Sequence, residues 1–151
     1  MLTLTNDKAA AVQAEIFIRS FPSECANEPL IENVLTVMKD NVTVRDYAMG
    51  LTNANNLEHY YKAWAWITNR AEGEDKLAPA TILATVCYEM GNLDEGDALL
   101  EMVGDYSLAL LLNRVRQSDW NLTQMLPKMR AELHPKVEAE IFGDDDDDSN
   151  N

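Results

Sequence analysis

The sequence predicts an all-α fold, a compact array of about seven to eight short antiparallel helices with a disordered acidic tail. Three observations predict it. Apolar residues recur at three- and four-residue intervals from end to end, cap and breaker residues punctuate those runs, and no stretch joins strict alternation to hairpin-turn chemistry. At 151 residues and 46% apolar, the chain can fill one core, so a single helical domain over residues 1–143 is expected, with residues 144–151 as the tail.

The first helix opens at Asn6, whose side chain can accept a bond from a free amide of the first turn, and it carries Ala10, Ala14, Phe17, Ile18 and Phe21 on one face before Pro22. Asn27 caps the second, with Pro29 in the first turn, where a missing N–H is harmless. Its stripe is Leu30, Val34, Leu35 and Met38, and it ends near Lys39. Thr43 with Asp46 three residues on resembles a capping box and opens a short helix through Arg45, Tyr47, Ala48 and Leu51. After the polar break at residues 53–56, a helix over 56–71 carries Tyr60, Tyr61, Trp64, Trp66 and Ile67. That is too aromatic to face solvent throughout.

Gly73-Glu74-Asp75 breaks the chain, and Pro79 starts a helix bearing Ile82, Leu83, Val86, Cys87 and Met90, which Gly91-Asn92 ends. Asp94 begins the next, with Ala98, Leu99, Leu100 and Val103, and after Gly104 another runs from Asp105 with Leu108, Leu111, Leu112 and Val115. Asp119 or Asn121 opens the last segment. Pro127 is expected to kink or restart it, and Pro135 to begin a final turn or two ending at Phe142. Past Gly143 the acidic run can bury nothing and is expected to be disordered.

The charge balance constrains function. There are 26 acids against 12 bases, a net charge of −14, and without Asp144, Asp145, Asp146, Asp147 and Asp148 the balance is still −9. Such a chain is repelled by nucleic acid and by anionic lipid, so direct binding to either is not expected. The longest apolar stretch, residues 108–112, falls far short of the roughly 18–20 residues that span a bilayer. The N-terminus lacks the basic start and apolar centre of a secretory signal, which points to the cytoplasm. Cys25 and Cys87 are then expected as reduced, packed thiols, and the Asn41-Val42-Thr43 and Asn121-Leu122-Thr123 sequons as helix-start chemistry.

The segment Tyr88-Glu89-Met90-Gly91-Asn92-Leu93-Asp94-Glu95-Gly96-Asp97-Ala98 resembles a tetratricopeptide-type helical hairpin, in which small residues let two helices approach closely. One such unit is visible, so the likeness is to the packing and not to a repeat array. Read as one string, Val44-Arg45-Asp46, Trp64-Ala65-Trp66-Ile67-Thr68-Asn69-Arg70-Ala71, Ala78-Pro79-Ala80-Thr81-Ile82-Leu83-Ala84, Gly91, Ala98-Leu99 and Asp105-Tyr106-Ser107-Leu108-Ala109-Leu110-Leu111 resemble the C-terminal helical part of an actinobacterial family, domain-of-unknown-function family 4192, over residues 44–127. Members of that family carry a longer N-terminal region, which residues 1–35 do not resemble. The resemblance implies a helical fold and a stand-alone derivative from an actinobacterial phage or mobile element. It implies no activity and no catalytic residues.

No catalytic, cofactor or metal residues emerge from the residues themselves. None of the six glycines forms a phosphate-cradling loop. Cys25, Cys87, His59 and His134 lack the spacing of a zinc site or a local nucleophile signature; the thiols read as packed and the imidazoles as a helix start and a helix end. The aspartate run lacks the glycine turn and spaced ligands of a calcium loop. Candidate partner contacts are the aromatics Tyr60, Tyr61, Trp64, Trp66 and Trp120 and the five tail aspartates, since Trp and Tyr concentrate in binding hot spots. Positions 60, 64 and 67 share a helical face from which Trp66 points away, so one set is core and the other is covered by a neighbouring helix or free for a partner.

These features favour a non-catalytic protein–protein interaction module whose acidic helices suit a basic partner surface. The alternatives are an acidic nucleic-acid mimic, which requires ordered rows of acids on the folded body, and an enzyme with an unrecognised site. A self-assembling role is the remaining alternative, and homo-oligomerisation stays open.

Overall fold

In the computed structural model, residues 7–118 and 121–143 are described, and among them the chain is all-α, with eight α-helices and no strand. Contacts group into two compact units within the span that the sequence predicts as one domain. The first comprises Met1–Leu51 with Arg130–Asn151, and the second Thr52–Met129. No helix among the described residues is long and apolar enough to cross a membrane. Asn6, Trp120 and the tail at 144–151, for which the sequence predicts an N-cap, a partner contact and disorder, lie outside the described residues.

In the first unit, α1 (Asp7–Ser20), α2 (Glu28–Asp40) and α3 (Val42–Gly50) pack on one another pairwise. Their shared core holds Ala14, Phe17 and Ile18 of α1, Ile31, Val34 and Met38 of α2, and Val44 and Ala48 of α3. Asn27 caps α2 by accepting from the Leu30 amide, as its position predicts. The cap of α3 is Asn41 and not Thr43. Asn41 Oδ1 accepts from the Val44 amide at 3.0 Å, its Nδ2 donates to Asp7, and the helix already starts at Val42. That leaves Thr43 inside the first turn, donating to Glu140, and Asp46 pairs with the buried Arg45 instead of closing a capping box.

The second unit contains α4 (Leu57–Arg70), α5 (Leu77–Glu89), α6 (Leu93–Val103), α7 (Ser107–Gln117) and the start of α8 (Leu122–Glu138). Short 3₁₀ turns, Ala54–Asn56 and Gly73–Lys76, lead into α4 and α5. α5 packs on both α4 and α6 and is buried on every side, from Ala78 through Tyr88. A helix apolar all round is the signature of a core position. Its two threonines reconcile hydroxyls with that core by donating to the helix's own carbonyls, Thr81 to Leu77 and Thr85 to Ile82.

Several sequence expectations need correction. Met90 is 40% exposed because α5 stops at Glu89 and the chain turns there. Leu111 is exposed while Ala109 takes the inward place on α7, and Ala98 points outward on α6. α8 neither restarts at Pro127 nor begins anew at Pro135. It runs through both prolines and closes in a π turn, Ala139–Gly143, whose Ile141 is buried. His134 accordingly sits inside α8 and not at a helix end.

Candidate functional site

The aromatic group of α4 splits as its periodicity requires. Tyr60, Trp64 and Ile67 face the core at 7%, 0% and 0% exposure, so Tyr60 and Trp64 offer a partner almost no surface. Trp64 Nε1 and Thr68 Oγ1, one turn apart on that face, are buried without a hydrogen-bond partner. The other two aromatics are half-buried. Trp66 carries the Arg70 guanidinium 5.9 Å from its ring centroid, and Tyr61 donates its hydroxyl to Glu95 at 2.8 Å.

That last bond introduces a feature that no local spacing announces, namely that two acids of α6 hold the unit together. Glu95 accepts from the Tyr61 hydroxyl on α4 and from the side-chain Nδ2 of Asn92 in the hairpin turn. Two residues on, Asp97 Oδ1 accepts from the Tyr88 phenol of α5 and from Arg116 of α7, both at 2.5 Å. The bond to Glu95 and burial push the Tyr61 hydroxyl up to about 12. Burial and then Asp97 push Tyr88 up, while the phenol hydrogen bond and Arg116 hold the Asp97 carboxyl below its usual range. Cys87 is fully buried and, beside Glu95, its thiol is pushed up to about 12, first by burial. It is a packed thiol.

Close packing completes the hairpin. A methyl placed on Gly96 would stand 2.9 Å from the Tyr88 ring, so glycine is what lets α6 lie against the aromatic of α5. Thr123 at the start of α8 donates to the Tyr88 carbonyl, fixing a fourth element to the same residue. Around the pair formed by Asp97 and Arg116 opens a cleft of about 390 Å³, walled by Tyr88, Leu93, Leu122 and Thr123, with Gly91 and Asn121 at its edge.

The outward side of α6 differs in character. Asp94 and Glu101, seven residues apart on one face, are exposed, as is Asp105 just past Gly104. α6 has no basic residue, and Leu93 and Met102 flank the acids at 51% and 52% exposure. Among the described residues no group of three or more His, Cys, Asp or Glu is arranged to hold a metal ion. The tail aspartates, Asp144, Asp145, Asp146, Asp147 and Asp148, and Trp120 lie outside the described residues. Comparison with family models, with curated proteins and with solved structures finds no match for the chain in any of the three.

Proposed function

We propose that the chain is a non-catalytic protein-interaction module and that the outer face of α6 engages a basic segment of another protein. The observation that carries this reading is the division of labour on α6. Glu95 and Asp97 hydrogen-bond to phenols and a guanidinium of neighbouring helices, whereas Asp94, Glu101 and Asp105 remain exposed, unaccompanied by any cation on the helix and bordered by Leu93 and Met102. Carboxylates beside exposed apolar side chains complement a cationic amphipathic segment, which would contribute apolar area and opposite charge together. The resemblance to domain-of-unknown-function family 4192 fits a scaffold of this kind and adds no activity to it.

A capture experiment tests it. Nuclease-treated lysate would be passed over the intact chain, a form ending at Gly143, and a variant combining Asp94→Asn, Glu101→Gln and Asp105→Asn. A basic protein retained by the first two and lost from the third supports the α6 face. Equal retention by all three sinks it, and displacement of the captured protein by added DNA favours the nucleic-acid mimic.

A further inference from the structure

The cleft beside α6 has a chemistry of its own, although it shares Leu93 with the acidic outer face. Its polar floor is a single ion pair, Asp97 with Arg116, whose side chains keep 48% and 38% of their surface open. Asp97 uses one oxygen, Oδ1, for both Tyr88 and Arg116, which leaves Oδ2 and most of the five guanidinium donors for other partners. The Tyr88 ring is 2% exposed, and its phenol, committed to Asp97, fixes the carboxylate in place. Beside this pair Leu93 is half open and supplies the accessible apolar wall, Leu122 is 5% exposed, and Thr123 and Asn121 add polar groups at the other side. At about 390 Å³ the cleft falls at the lower end of the roughly 300–1,000 Å³ of small-molecule sites.

The charge pattern selects the ligand class. A simple anion drawn to Arg116 would meet Asp97 beside it and a chain of net charge −14 around it. A simple cation would meet the Arg116 guanidinium. A molecule carrying both charges a short distance apart satisfies both members of the pair and suffers no net repulsion. We propose that this cleft holds an apolar α-amino acid as its zwitterion, its carboxylate on Arg116, its ammonium on Asp97 and its side chain against Leu93.

Isothermal titration of the intact chain with leucine tests this, against three probes that each remove one feature. Isoamylamine lacks the carboxylate, isocaproate lacks the amine, and N-acetylleucine amide replaces both charges with peptide groups. Leucine is expected to bind about tenfold or more tighter than each, the scale of losing one charge-assisted hydrogen bond, and Arg116→Gln is expected to cost a similar factor. Because this variant also breaks an internal ion pair, its fold is checked by circular dichroism, and the ligand series on the unaltered chain decides the question. No leucine binding overturns the proposal. So does isoamylamine or isocaproate binding as tightly as leucine, and N-acetylleucine amide binding as tightly would reassign the cleft to a peptide backbone.

Discussion

At Gly50 an added methyl would collide with Nδ1 of His134 and stand 2.8 Å from its Cγ, so the base of the imidazole, and not a flexible tip, fills the space. The same ring lies tilted on Tyr47 at a centroid distance of 5.3 Å, and Tyr47 in turn meets the Phe142 ring edge-on and donates its hydroxyl to Glu15. Gly50→Ala is therefore expected to destabilise the protein by about 1–3 kcal/mol, the usual cost of overpacking. In the background of His134→Ala the same change should cost much less, and a urea-melt double-mutant cycle showing simple additivity would disprove the contact. His134 also titrates. Its Nδ1 is buried without a partner, and burial lowers its pKa, with Glu138 and Glu15 opposing and Arg130 and Arg19 assisting. The unfolded chain then binds the proton more readily than the folded one, so His134 contributes stability above about pH 6.5 that is lost as pH falls from there through its folded value. Melts between about pH 7 and 5.5 should show that decline, and His134→Gln should flatten it.

Elements were legible in the sequence wherever a local signal decided them. Asn27 with Pro29, the glycine breaks after α5 and α6, and the apolar spacing of α1 and α2 are read within a turn or two of the chain and lead to the observed helices. Legibility failed where a competing neighbour decided. Asn41 takes the cap that spacing predicts for Thr43, so Asn41→Ala should cost about 1 kcal/mol in thermal melts, while Thr43→Ala should stay within about 0.5 kcal/mol. The reverse order would restore the capping box. α8 runs through Pro127 and Pro135 although each removes a backbone donor, and its burial, confined to Leu122 and Leu126, does not explain why. The cleft was not legible at all. Tyr61 finds Glu95 across 34 residues and Asp97 finds Arg116 across 19, and no spacing rule in the sequence marks such partners.

For the whole molecule, the charge is the dominant long-range term. A net −14 makes the folded state repel itself more than the expanded chain does, and ion pairs such as Arg19 with Glu15 and Lys62 with Glu58 are exposed and weak. Added salt should therefore raise the melting temperature from low to physiological ionic strength, by screening repulsion more than it screens attraction. A fall over that range would mean that ion pairs such as that of Asp97 and Arg116 outweigh the global repulsion.

The order of the two units along the chain has a consequence for biosynthesis. The first unit is discontinuous: Tyr47 and Gly50 wait for His134, and α1 waits for the π turn that carries Ile141. On a ribosome, which delivers the chain from its N-terminus, Thr52–Met129 is complete before Arg130 emerges. The earlier-made helices thus acquire their full set of contacts after the second unit is complete, and the nascent chain carries α1, α2 and α3 as an unfinished cluster until His134 and the π turn reach α3 and α1.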